Sequence, residues 1–182
     1  MKLVITALTA FFILQTSSLP TPKPDPELET RQSCDNLNLV PLLRAYSSKQ
    51  TDHFYTTDVE EMQHAIAKDT YRSEGNEALV LFDPVPGSVA LYRLWSKTFT
   101  DHFYTTSESE RDAAIAGGKY DFEGITAWVF PTQACGSVPL YRLVNEVIED
   151  HFYTTDATER DEVIAHNGYI DQGVAGYVYL AP

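Results

Sequence analysis

Asp101-His102-Phe103-Tyr104-Thr105-Thr106 occurs three times in this chain. The other copies fill positions 52–57 and 150–155, so His53, His102 and His151 stand 49 residues apart. Outward from the string the match continues without a gap. Nine residues before each histidine is an arginine, Arg44, Arg93 or Arg142; Tyr71, Tyr120 and Tyr169 follow at one common offset, and Gly75, Gly124 and Gly173 at another. Self-similarity at a fixed period marks tandem structural units that bury one another's apolar faces.

Each copy reads the same way. Residues 42–46, 91–95 and 140–144 are rich in Leu and Tyr and predict a first strand. A polar loop of varied sequence follows (47–51, 96–100, 145–149). The His-Phe-Tyr-Thr-Thr string is aromatic and β-branched, which suits a second strand paired to the first in a hairpin. Asp58, Ser107 and Asp156 each precede a glutamate by three positions (Glu61, Glu110, Glu159), the pattern of a helix-opening capping box. The helix is expected to bury Ile66, Ile115 and Ile164 and to end at Asp69, Gly118 and Asn167. Residues 77–82, 125–130 and 174–180 predict a closing strand.

One such unit is too small to bury a core alone, so three must share one. The expected fold class is α+β: three tandem β-β-α-β repeats (about 40–88, 89–137 and 138–182) in a closed pseudo-three-fold arrangement, with a β-trefoil-like fold as the alternative. Cys34 and Cys135 are the two cysteines. Paired in a disulfide, they would bring the start of the first repeat to the start of the third, which favours closure over an extended solenoid.

The termini and the charge bound the function. Lys2, then an apolar run from Leu3 to Leu14, then Thr16, Ser17 and Ser18 have the layout of a secretory signal peptide over residues 1–20. The run falls short of the ~20 residues needed to span a bilayer. Residues 21–38 form a Pro-rich leader containing Cys34. The mature chain is thus expected to be extracellular, a single domain over 39–182, with no membrane insertion after signal cleavage. With 26 acidic and 13 basic residues and a formal charge of -13, it is a poor partner for nucleic acid.

Leu91-Tyr92-Arg93-Leu94, positions 101–106, Glu110-Arg111-Asp112 and the Gly-containing aromatic stretch 124–130 together resemble a repeat family, a domain-of-unknown-function group of secreted fungal and bacterial proteins. The resemblance covers residues 40–181. In bacteria this family is often appended to extracellular hydrolases, which implies a targeting or binding role toward a glycan or cell-wall polymer. The first unit departs from the motif: Leu43 replaces the tyrosine, and Met62-Gln63 replaces Arg-Asp.

Strand alternation places Arg93, Trp95, His102 and Tyr104 on one face of a hairpin, beside Asp101 at the loop edge. Arg44, His53 and Tyr55 with Asp52, and Arg142, His151 and Tyr153 with Asp150, repeat the set. Planar donors, acceptors and flat rings in that combination suit saccharide recognition; equally, Arg pairing with Asp and His bonding a carbonyl would serve the fold itself. Three symmetry-related imidazoles could hold zinc, but no local ligand spacing supports a metal. Asp and His adjacent on a strand diverge, and no nucleophile elbow or phosphate loop is present, so no catalytic residue and no cofactor are assigned. The reading is a secreted, non-catalytic binding module for carbohydrate or cell-wall polymer; a secreted hydrolase or inhibitor, and a purely structural secreted protein, are the alternatives.

Overall fold

The computed structural model describes residues 34–182. The expected signal peptide and residues 21–33 of the leader lie outside the described residues. The chain runs β1 (Leu39–Ser47), β2 (Asp52–Thr56), α1 (Val59–Lys68), β3 (Arg72–Leu81), β4 (Val89–Ser96), β5 (Asp101–Thr105), α2 (Glu108–Ala116), β6 (Asp121–Val129), β7 (Val138–Asn145), β8 (Asp150–Thr154), α3 (Ala157–His166) and β9 (Ile170–Leu180).

The expected hairpins form in one register, with Arg44 opposite Tyr55, Arg93 opposite Tyr104 and Arg142 opposite Tyr153. The first strand of each hairpin also pairs antiparallel with the strand that follows the helix. That third strand starts earlier than its apolar residues suggest. Its leading half, such as Arg72 to Asn76 in β3, is polar and exposed, and it carries a bulge. Gly75 and Gly124, at φ +94° and +130°, sit opposite Arg44 and Arg93 at the irregularity, in a backbone region that side chains rarely adopt.

The expectation of a closed α+β arrangement is overturned. The structure is mostly antiparallel β, 48% strand against 20% helix, in one open sheet of nine strands. Nor is that the β-trefoil alternative. The third strands join the units: β3 meets β6 at Leu81 and Trp128, and β9 at Ala78–Leu180 and Leu79–Tyr179. The physical reason is that the helices add little to the core. Only Met62 and Ala65 are buried in α1, and no residue is buried in α2 or α3. The isoleucines expected to form a buried stripe are exposed, Ile66 at 42%, Ile115 at 39% and Ile164 at 38%. The core is made by strand residues, with Leu42, Leu91 and Leu140 packed among Val80, Val129 and Val178.

Helix starts follow the expected chemistry in part. Asp58, Ser107 and Asp156 cap their helices with side-chain oxygens. The glutamates do not complete a capping box. The Asp58 amide instead donates to Thr56 Oγ1 at 3.0 Å, and the hydroxyl donates to Glu61. α2 ends at Gly117, one residue before the expected glycine. Cys34 and Cys135 form a disulfide, with Cα atoms 5.3 Å apart and a sequence separation of 101. Closing a loop of that length stabilises by at most about 4–5 kcal/mol in the chain-entropy model.

At the centre of the core lie Tyr55, Tyr104 and Tyr153, each 1% exposed. They stand on β2, β5 and β8, whose outer edges have no strand partner in the sheet. A buried strand edge must satisfy its N–H and C=O groups some other way. Here the tyrosine of the next unit does so. The Tyr104 hydroxyl accepts from the Tyr55 amide at 2.8 Å and donates to the Tyr55 carbonyl at 2.7 Å. Tyr153 serves Tyr104 in the same way at 2.8 and 2.7 Å, and Tyr55 serves Tyr153 at 2.9 and 2.8 Å. The rings meet edge to face with centroids 5.4–5.5 Å apart. Tyr104→Phe leaves a buried amide and a buried carbonyl unpaired, so it should cost roughly 2 kcal/mol or more in urea unfolding. Tyr92→Phe, which loses only an exposed hydrogen bond to Glu108, should cost less than about 0.5 kcal/mol. Equal losses would show that the hydroxyl ring contributes nothing special.

Candidate functional site at the junctions between units

The candidate residues act across units rather than within them. Asp52 lies at the start of β2 and is fully buried. One of its oxygens accepts the backbone N–H of His102 at 2.7 Å; the other accepts His102 Nδ1 at 2.6 Å and the hydroxyl of Tyr71. Asp101 holds His151 and Tyr120 in the same way, and Asp150 holds His53 and Tyr169. Burial, and then the charge of the neighbouring aspartate, push the Tyr71, Tyr120 and Tyr169 hydroxyls far above their ordinary value. They therefore keep their protons and donate. Each aspartate thus meets three partners at once, with the imidazole turned so that Nδ1 lies against the carboxylate and Nε2 points away from it.

This arrangement departs from the sequence reading in two ways. Adjacent Asp and His do diverge along the strand, but the aspartate of one unit meets the histidine of the next. The groups that converge are not imidazoles but the carboxylates of Asp52, Asp101 and Asp150, which have ligand oxygens within 4.8 Å of one another. Their hydrogen bonds to His and Tyr account for the cluster.

The arginines pair with glutamates, not aspartates. Arg93 binds Glu61 of the preceding unit's helix through both terminal nitrogens, at 2.9 and 2.7 Å, and its Nε lies 2.8 Å from Glu123. Arg142 grips Glu110 at 2.8 and 3.0 Å, and Arg44 grips Glu159 at 2.9 Å twice. Each guanidinium also lies over a phenylalanine of the preceding unit, Arg93 over Phe54 at 5.4 Å, Arg142 over Phe103 at 5.4 Å and Arg44 over Phe152 at 5.2 Å. Arg44 differs in touching two further carboxylates, Glu74 at 2.9 Å and the nearly buried Glu77 at 2.6 Å. Sequence reasoning missed these glutamates as site residues. The available signal was that Glu61, Glu110 and Glu159 recur at the arginines' own period.

A cleft opens at each junction. Between the first and second units it has a volume of about 330 Å³ and is walled by Trp95, Arg93, His102 and Glu123 on one side and by Phe54, Glu61 and Tyr71 on the other. The junction of the third and first units has a cleft of about 300 Å³ with Tyr46, Arg44, His53 and Glu74 at the matching places. The junction of the second and third has one of about 310 Å³ lined by Phe103, Glu110, Tyr120, His151 and Gln172. Trp95 lies 4.4 Å from the His102 ring and Tyr46 4.4 Å from the His53 ring, so each partly exposed ring is held by an imidazole fixed on a buried aspartate. Tyr55, Tyr104 and Tyr153, taken from sequence as part of the binding face, are core residues that no ligand reaches. Asp52, Asp101 and Asp150 are likewise buried and position the histidines.

Residues 41–179 match the family described as Domain of unknown function (DUF5648). The chain belongs to that family. No match is found among curated proteins or among solved structures. Family membership and fold together thus leave the chemistry of the clefts as the guide to function.

The Arg–Glu pairs set an acid limit. Burial acts to raise the Glu61, Glu110 and Glu159 carboxyls, but the hydrogen bonds from Arg93, Arg142 and Arg44 and from the neighbouring threonines outweigh it and hold all three below their ordinary value. A carboxyl whose native value is depressed stabilises the fold above its unfolded value of 4.5, and that contribution is lost as pH falls through the native value. Glu77 has the opposite sign: burial raises it, so its ionised form is disfavoured at the junction of the third and first units. The melting temperature should fall as pH drops from about 5 toward about 3. The fall should be shallower in an E61Q/E110Q/E159Q variant; an unchanged slope would place the acid sensitivity elsewhere.

Proposed function

We propose that this protein is a secreted, non-catalytic binding module that holds saccharide segments in the clefts between its units. The observation that carries the reading is the composition of the cleft walls: a partly exposed Trp95 or Tyr46 ring set beside a guanidinium, a carboxylate and the Nε2 edge of an imidazole, which lies 3.8 Å from Glu123 in one cleft and from Glu74 in the other. A pyranose offers an apolar face and a rim of hydroxyls. A flat ring takes the face, and planar charged groups take the rim. The rings are held by ion pairs and imidazoles already in place, so little side-chain freedom is lost on binding.

Secretion is supported by the apolar N-terminal run and by the Cys34–Cys135 disulfide, a bond that persists in oxidising compartments. Among the described residues no helix is long and apolar enough to cross a membrane. Against catalysis stands the lining of the clefts. The Asp–His pairs are half of a triad, but among the described residues no serine, threonine or cysteine lines these three clefts, and Thr56, Thr57 and Thr126 line an adjoining pocket that His102 does not.

The test is retention of the purified mature chain on a glycan array and on insoluble polysaccharides. Retention on one glycan class, weakened at least about tenfold by Trp95→Ala with unfolding unchanged, is the expected result. No retention on any glycan would overturn the saccharide reading.

A further inference from the structure

The three junctions share Arg, His and the helix-cap glutamate but differ at two matched positions, and the two differences go together. Trp95 comes with Glu123, and Tyr46 comes with Glu74; the remaining junction has Val144 and Gln172. Val144 is buried and does not reach the cleft that Gln172 lines. Where a ring is present, carboxylates outnumber guanidiniums. Glu61 and Glu123 flank Arg93 in one such cleft, and Glu74 and Glu159 flank Arg44 in the other, where Glu77 adds a third contact. In the remaining junction Glu110 alone faces Arg142, and the two charges balance.

We propose that only the two ring-bearing clefts bind, and that they select saccharide units carrying a free amine. This deepens the saccharide reading and rests on it. An ammonium group on a sugar stacked against Trp95 or Tyr46 would meet an uncompensated carboxylate on one side and a ring face on the other, two features that favour a cation. The overall charge of -13 attracts such a polymer from a distance. Two sites on one small domain also let a single polycationic chain bind twice, so that avidity exceeds the affinity of either cleft. The cleft between the second and third units has the Phe103 and Tyr120 rings that correspond to Phe54 and Tyr71, but it lacks a counterpart of Trp95 or Tyr46 and lacks the surplus charge.

The experiment is a calorimetric titration of the mature chain with β-linked glucosamine tetramer and, separately, with its fully N-acetylated counterpart. The expected result is two sites for the amine form, with the acetylated form weaker by about tenfold or more, as loss of a charged contact implies. An E74Q/E123Q variant keeps the rings and should bring the two ligands close to equal affinity, which does not depend on an alanine variant folding. In V144W/Q172E a third site should appear. Equal or tighter binding of the acetylated tetramer, or three equivalent sites in the native chain, would overturn this inference while leaving the saccharide reading intact. Failure of both tetramers alongside retention on another glycan would do the same. Failure on every glycan overturns both.

Discussion

A β-strand buried at the edge of a sheet has amides and carbonyls with nowhere to go, and this fold depends on how that is resolved. β2, β5 and β8 each pair with one strand only, and their far edges face the interior. Each edge is completed by a tyrosine hydroxyl from the next unit, which acts as donor and acceptor to one residue's backbone at once. A hydroxyl suits the place because it has one proton to give and lone pairs to receive with, and burial, more than the nearby carboxylates, pushes Tyr55, Tyr104 and Tyr153 above their ordinary value and keeps them protonated. The hydrogen bonds run Tyr55 to Tyr104 to Tyr153 and back to Tyr55, so no unit can leave without stranding the backbone of one remaining unit and the tyrosine hydroxyl of the other.

The junction clefts are a by-product of the same constraint. Bringing the hairpins together at Tyr and Asp places the start of one helix against the outer side of the next hairpin. The Arg–Glu pair bridges that gap, and the phenylalanine beneath the guanidinium sets its height. What is left open beside the pair is the cleft. Its floor is held by mutually satisfied Asp, His and Tyr; the matched position beside it is Trp95, Tyr46 or the buried Val144, which does not reach the cleft. A scaffold fixed by its repeated Tyr, Asp–His and Arg–Glu contacts, with two varied positions per junction, allows affinity to be tuned at each site separately.

The period, the hairpins, the N-cap residues Asp58, Ser107 and Asp156 (though not the capping-box role of their glutamates) and the Cys34–Cys135 bond were legible in the sequence because each depends on neighbours within a few residues or on simple counting. The helix face was not. In a helix of about ten residues an Ile flanked by Ala reads as the buried stripe, yet Met62 and Ala65 make the contact in α1, and Ile66 faces solvent. The leading half of the third strand was missed because Arg72 to Asn76 shows no alternation: it is exposed on both faces and pairs through its backbone. That omission hid the extent of the sheet and gave the helices too much weight in the fold class. At the site, the residue types were legible and their partners were not. Arg93 meets Glu61 and His102 meets Asp52 at separations of 32 and 50 residues, set by how the units meet. Tyr104 fell on the expected face, but that face turns inward at the tyrosine and opens only toward the loop, at Trp95.

The central claim is that the tyrosine ring makes the three hairpins one cooperative unit. Native-state amide hydrogen exchange tests it most directly, because the Tyr55, Tyr104 and Tyr153 amides are the donors to the ring. If the claim holds, all three exchange only through global unfolding, with equal opening free energies that fall together in Tyr104→Phe. If one amide exchanges much faster than the others, or if Tyr104→Phe affects only the Tyr55 amide, the hairpins open independently and the claim is wrong.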